Sequence, residues 1–518
     1  SRSVAQPMSQ AFPATDSRAC VAGVDLGAGS LKVSIVAASG RVAGSASRGY
    51  QTLSPHSGWS EQDPEDWWRA MCAAVPAALA DAGVDARDIR AVAFCGGAHT
   101  PVLLDAADRL LRPAILWSDQ RSSAEATELQ QQREADILRI TLNRPSPTWT
   151  LPQLMWLSRH EPAVLGATRR FMVAKDWLRW RVCGDWHTDV TDAVGTMLWD
   201  HPAKTWSAEL AALAGIDLAA LPTVVAPSQI VGTVTPDAAA ACGLAAGTPV
   251  VCGTSDTSAE AYGAGADVAG PGVVKLATAA TVSIVGTAPH VHPTLINYPF
   301  AIPGLWFTIT ATNSCASAHR WLRDRFFMRP GDDGGAVFAE MDRLAGEVPA
   351  GAGGLLFHPY LLGERAPYWD PLLRADFVGM TMRHDRGHFV RALYEGIAFT
   401  LRDVLDQFEA RGLTIPQARI IGGGSRSALW RQIVADVLGV QVQLPERTDA
   451  AIGAALIAGV AVGLFPDERS AAQAPGGTVA VHDPDPVRVS RYRELHALYR
   501  ETKERLTDIN HRLHAFDH

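Results

Sequence analysis

The sequence predicts an α/β chain made of two related domains, and three observations carry that reading. Apolar strand-like runs alternate with helix-like stretches along the chain, the order that produces a parallel or mixed sheet covered by helices. The stretch "VDLGAGSLKVSIV" (24–36) returns as "VKLATAATVSIV" (274–285), about half a chain later and one residue shorter. An echo at that offset is what duplication of one domain gives. Between the halves, "GADVAGPG" (265–272) reads as a connector.

The elements follow in order. Residues 21–52 read as paired hairpins turning at "ASGR", with Gly40 in the turn. Residues 65–83 carry helical apolar spacing closed by Gly83. "IRAVAFCGG" (89–97) is a continuous apolar strand, and 101–117 reads as a further hairpin. In the second half, 248–266 reads as strand, turn and helix, and 272–286 as a hairpin. A helix over 388–412 stops at Gly412, followed by strand 418–424, helix 428–439, strand 440–444 and an alanine-rich helix from Ala450. That last stretch, Ala450 to Phe465, is too short and too rich in Ala and Gly for a free membrane span.

Composition narrows the function. The 518 residues are 47% apolar and 19% charged, enough for two large domains with real cores. A net charge of −8 offers no basic field to nucleic acid or to an anionic membrane. Seven cysteines without a C-x-x-C fit reduced thiols and a cytoplasmic setting. Residues 1–19 lack the basic and apolar regions of a signal peptide and read as a disordered tail.

There is no G-x-x-x-x-G-K-[ST] loop, no G-x-S-x-G elbow and no His/Cys metal cluster. What remains is three turns of small residues at strand ends, 27–30, 277–280 and 422–425, where backbone N–H groups can approach an anion. Asp25 sits inside the apolar strand that feeds the first of them. A carboxylate so placed needs a cationic partner.

Several segments together resemble the FGGY carbohydrate kinases: "DLGAGSLK" (25–32), "GWSEQDPEDWW" (58–68), "LRPAILWSDQR" (111–121), 173–200, "GTSDTSAEAYGAG" (253–265), 375–396 and "IGGGSRSALWRQIVADVLGVQV" (421–442). The resemblance runs from about Gly23 to Phe465. It implies two duplicated actin-like (ribonuclease H-like) ATPase domains with an interdomain cleft, a sugar-binding domain at 20–267 and a nucleotide-binding domain at 268–518. It also implies ATP and Mg²⁺ as cofactors and a small sugar as substrate. Asp25 then faces Mg²⁺ through water, while Gly27, Ser30 and Lys32 line the first phosphate loop and Thr278 the second. Gly423, Gly424 and Ser427 fall in the adenosine segment. Asp256 matches the general base that orients and deprotonates the sugar hydroxyl, and Ala98, His99 and Trp59 are the sugar contacts beside it.

Each residue has a plainer reading. Lys32 can be an exposed strand lysine, Asp256 a helix cap and His99 a structural histidine. For Asp119, Arg121, Lys175 and Asp176, a buried salt bridge stands equal to sugar contact. The chain also departs from the family pattern. Ala98 replaces a methionine, Gly96–Gly97 replaces glycine–glutamine, and Ala277-Thr278-Ala279-Ala280 replaces a glycine-rich phosphate turn. The expected activity is ATP-dependent phosphorylation of a ketopentose, D-xylulose first. The alternatives are another ketose or polyol (ribulose, erythrulose, a sugar alcohol) and a non-catalytic nucleotide-binding sensor. Oligomeric state is open, a homodimer being one candidate.

Overall fold

The computed structural model describes residues 18–446, 449–474 and 477–517; most of the tail at 1–19 lies outside them. The chain divides into two compact units. One comprises Ser1–Gly263, Tyr298–Leu305 and Asp449–Gly476, the other Ala264–Asn297, Trp306–Thr448 and Gly477–His518. The connector read at 265–272 lies beside the first change of unit.

Each unit is built on a mixed sheet. In the first, the strands run Val42–Gly49, Ser30–Ala37, Cys20–Leu26, Ile89–Gly96, Pro249–Thr254, Ile230–Thr233. Successive pairs are antiparallel, antiparallel, parallel, parallel and antiparallel. Six consecutive strands of the second unit's sheet run Trp306–Ala311, Ala280–Gly286, Gly272–Leu276, Gln417–Ile421, Gln441–Pro445, Thr478–His482. They repeat the same five pairings in the same order. The short sequence echo is thus the visible trace of a duplicated sheet.

The duplication extends to single residues. Gly96, at the end of its strand, has φ +96°, and a Cβ there would lie 2.3 Å from the Leu26 carbonyl oxygen. Gly422 has φ +90°, and its Cβ would lie 2.6 Å from the Leu276 oxygen. A side chain is excluded at both by left-handed backbone and by close approach of the neighbouring strand.

Helix Pro64–Ala82 begins as its sequence signals. Asp63 accepts from the Glu65 N–H, Pro64 occupies the first turn, and Gly83 (φ 66°) closes the end. Its Met71, Val75 and Leu79 join Val24, Val33, Ile35 and Phe94 in the core of the first unit. The alanine-rich helix, Ala450–Ala461, is buried along most of its length. Among the described residues, no helix is long and apolar enough to cross a membrane. Small residues let this helix lie directly on the first strand, since a Cβ on Gly23 would fall 1.7 Å from the Ala451 carbonyl oxygen. Gly23→Ala should therefore force the helix outward, an overpacking penalty of about 1–3 kcal/mol, and lower the Tm by about 3–10 °C in thermal unfolding. An unchanged Tm would contradict this contact.

One expected element is different. Residues 101–117 turn back as a hairpin only over 103–111, where Leu104 bridges Leu110 and the Leu111 N–H donates to the Leu103 carbonyl at 3.0 Å. Pro101–Leu104 also pairs with Arg170–Val173, and Ala114–Ile115 pairs with Glu61–Gln62 instead of continuing the hairpin. Arg112 explains the second pairing, reaching Glu61 at 2.8 Å and Glu161 at 2.8 Å. These two ion pairs bind the far half to other partners.

Candidate functional site

In the first unit the strand Cys20–Leu26 carries Asp25 to its C-terminal end, with Lys32 opposite in the antiparallel register and Cys95 opposite in the parallel one. Lys32 does not pair with Asp25. Its Nζ meets the carboxylate of Asp449, which also caps helix Ala450–Ala461 by accepting from the Ile452 N–H. Asp25 is left with the Cys95 thiol, 3.7 Å from its Oδ1. Burial first, and then the carboxylates of Asp256, Asp449 and Glu260, push Asp25 up to about 8. The carboxylates of Asp256, Asp449 and Glu260 thus all act on Asp25, an oxygen-rich setting that suits a hard cation. Tyr50 closes the first turn by donating to the Gly27 carbonyl.

Asp256 opens helix Asp256–Gly263. It is not the cap of that helix. Ser255, one residue earlier, accepts from the Ser258 N–H at 3.4 Å. The Asp256 carboxylate accepts only a local bond from the Thr257 N–H, 2.9 Å away, among the hydrogen bonds described.

His99 has φ 64° and is buried, its ring stacked on Trp149 with centroids 4.5 Å apart. Its Nε2 lies 2.8 Å from the Tyr298 hydroxyl and its Nδ1 3.1 Å from the Thr148 carbonyl. Burial brings its pKa down to about 4, so the ring is neutral at physiological pH. Behind it lies an ionic core. Lys175 contacts Asp176 (2.7 Å), Asp189 (2.9 Å) and Asp192 (2.7 Å), and Arg179 contacts Asp176 and Asp185. Burial works against the Lys175 charge, but the three carboxylates outweigh it.

In the second unit, Ala277–Ala280 turns without any residue in the left-handed region. Alanine therefore fits where a glycine-rich turn was the family pattern. The Thr278 carbonyl accepts from the Cys315 N–H (3.0 Å) and the Ser317 hydroxyl (2.9 Å), and its own hydroxyl meets Arg320 at 3.1 Å. Gly423 and Gly424 open a short 3₁₀ turn, with open space where a Gly423 Cβ would be. Ser427 caps helix Ala428–Leu438 and donates to Asp342 at 2.5 Å.

Residues 20–263 match the FGGY family of carbohydrate kinases, N-terminal domain, and residues 272–462 match its C-terminal domain. The chain belongs to the FGGY family of carbohydrate kinases. ATP is therefore its co-substrate, and each unit has the actin-like ATPase fold. The chain is similar to a xylulose kinase of Bacillus subtilis, with 31% identity over 96% of this chain and 99% of that protein. The crystal structure of xylulose kinase from Rhodospirillum rubrum superposes with a TM-score of 0.86 at 32% identity, covering 95% of this chain and all of that one. A gluconokinase of Bacillus subtilis is 26% identical over 92% of this chain and 94% of its own length.

The structure of this kinase gathers Asp25, Lys32 and Asp256 in the first unit, and Gly27 and Ser30 at the turn between Asp25 and Lys32. Ala98 adjoins His99 on the loop after strand Ile89–Gly96. Trp59 has other neighbours: the Arg121 guanidinium lies 3.8 Å above its ring, and Trp156 and His56 meet its edges. Arg121 itself is buried on Asp119 and Glu61. Asp119, Arg121, Lys175 and Asp176 are thus all salt-bridged in the interior, as their plainer reading has it.

Sequence reasoning missed Asp449 and Tyr298. Asp449 had one usable signal, an Asp directly before an alanine-rich helix. Tyr298 had none, since it lies 199 residues from its partner His99.

Proposed function

We propose that this kinase phosphorylates a ketopentose, D-xylulose first, giving D-xylulose 5-phosphate and ADP. The observation that carries the reading is Asp256, a partly exposed carboxylate at a helix start, in one unit with Asp25 and the buried His99–Tyr298 pair. In this reading the sugar hydroxyl oxygen bonds to the γ-phosphorus as the bond to the β–γ bridging oxygen breaks. Asp256 orients that hydroxyl and takes its proton. Asp25, with its buried carboxyl, would hold Mg²⁺, which would supply positive charge against the phosphates. Lys32, kept in place by Asp449, reaches toward the transferred group. Gly27, Ser30, Thr278, Gly423, Gly424 and Ser427 are the proposed ATP contacts. The proposed sugar-binding domain is 20–267 and the proposed nucleotide-binding domain 268–518, except that Tyr298–Leu305 and Asp449–Gly476 pack in the first unit; the cytoplasm is the proposed location. Retention of both Asp25 and Asp256 weighs against a non-catalytic sensor.

A second substrate is favoured by one observation, Ala98 in place of the family's methionine. Truncation there leaves room for a larger or differently shaped ketose or polyol. The test is kcat/KM over a panel of ketoses, aldoses, polyols and sugar acids for wild type and Ala98→Met. If D-xylulose is the substrate, Ala98→Met keeps or improves its use. If the substrate is bulkier, the variant loses that substrate by about tenfold or more, as overpacking of a pocket would give, while D-xylulose use rises.

A further inference from the structure

The strand that delivers Asp256 becomes irregular just before it does so. Pro249–Thr254 runs parallel to Ile89–Gly96, but the register shifts between Val251 and Thr254. Gly253 sits in the left-handed region (φ 80°), and a Cβ there would lie 1.7 Å from the Phe94 carbonyl oxygen. Irregularities of this kind re-aim a side chain at a strand end. The Asp256 carboxylate accepts only from the adjacent Thr257 N–H among the hydrogen bonds described. Its place is therefore set by the backbone that precedes it.

Two side-chain bonds from the buried ionic core hold that backbone. Arg179 Nη1 donates to the Cys252 carbonyl at 2.8 Å, and the Thr254 hydroxyl donates to Asp189 Oδ2 at 2.8 Å. Asp189 is itself fixed. The same oxygen accepts from the Thr191 N–H at 3.1 Å, and Lys175 Nζ stands 2.9 Å from the other one. Asp176 joins the two cations, 2.7 Å from each. Thr254, Asp189, Lys175 and Arg179 are all fully out of solvent. Burying so many charges is a weak source of stability; what this core does in space is tie down the chain two and four residues before Asp256.

We propose that Asp189, acting through the Thr254 hydroxyl, is a positioning residue for Asp256. The inference rests on the reading of Asp256 as the general base. Lys175 fixes Asp189, Asp189 fixes Thr254, and Thr254 sets the direction in which the helix start presents its carboxylate. A base must lie within hydrogen-bond reach of the proton it takes, and a displacement of about 1 Å at a reacting group can cost about a hundredfold in rate. Asp189 and Thr254 touch no substrate in this account; Asp256 does.

Thr254→Val keeps the shape of the side chain and removes the hydroxyl. The single-turnover rate of phosphoryl transfer to the best substrate of the sugar panel should fall about tenfold or more, with KM for ATP and for the sugar little changed. Thr254→Ala gives the same test should the valine variant not fold. Thr254→Ser restores the hydroxyl but loses a buried methyl, so its Tm should fall by a few degrees while most of the rate returns. In an Asp256→Asn background, Thr254→Val should cost no further rate, because the group through which it acts is gone. If the rates follow the Tm values and not the hydroxyl, or if Thr254→Val keeps the wild-type rate while Asp256→Asn loses it, the core is structural only and the inference fails with the base still in place. If Asp256→Asn itself reacts at the wild-type rate, the reading of the base fails and the inference falls with it.

Discussion

Asp256→Asn should lower kcat by about 10²–10⁴-fold, the usual contribution of a positioned general base, with KM for ATP and for the sugar changed little. The amide is nearly isosteric with the carboxylate and can still accept the 2.9 Å bond from the Thr257 N–H. Because Ser255 rather than Asp256 caps the helix, the substitution leaves the fold's own hydrogen bonds in place. The loss therefore reports on the proton alone. Steady-state kinetics with a thermal melt on the same sample check it: a Tm near wild type with turnover lost is the expected pair, and wild-type turnover would remove Asp256 from the mechanism.

The second large effect is expected at Asp25, and it has two signs. Asp25→Ala should weaken Mg·ATP binding by about tenfold or more, because the proposed partner of the carboxylate is the hydrated cation, while sugar affinity stays close to wild type. The same variant should not lower the Tm of the metal-free protein. The structure gives Asp25 one weak side-chain hydrogen bond, from the Cys95 thiol at 3.7 Å, while burial and the like-charged Asp256, Asp449 and Glu260 push it up to about 8. Removing it relieves both desolvation and repulsion. Calorimetric titration and thermal unfolding separate the two. A lower Tm with unchanged Mg·ATP affinity would make Asp25 a structural residue.

These two carboxylates were legible in the sequence for different reasons. Asp25 stands out because its strand is otherwise apolar, and strand periodicity locates both the strand and its end. Asp256 is marked by the family segment around it; its local signal, an acid at a helix start, would have assigned it as a cap, which the structure gives to Ser255. The duplicated sheet was legible through a stretch of twelve or thirteen residues, because the hairpin Cys20–Ala37 and its counterpart Gly272–Gly286 keep similar apolar ends. What could not be read is made by distant pairs. Lys32 finds Asp449 across 417 residues, and His99 finds Tyr298 across 199. The segments holding those partners, Tyr298–Leu305 and Asp449–Gly476, pack in the first unit although they follow the connector; local spacing does not encode such a return. The hairpin read over 101–117 stops at 111 for a related reason, since Arg112 draws the following residues to Glu61 and Glu161.

The central claim is that Asp25 and Asp256 serve phosphoryl transfer from ATP to a ketopentose. Its most direct measurement is ADP release by the purified full chain with Mg·ATP, assayed against D-xylulose, D-ribulose, erythrulose, gluconate, glycerol and sugar alcohols, with the product's phosphate position read by ³¹P and ¹³C NMR. The account predicts the highest kcat/KM with D-xylulose, phosphate on the C5 hydroxyl, and turnover lowered about 10²–10⁴-fold in Asp256→Asn. ADP release that is the same with and without every sugar, or highest with a substrate that is not a ketose, would contradict it.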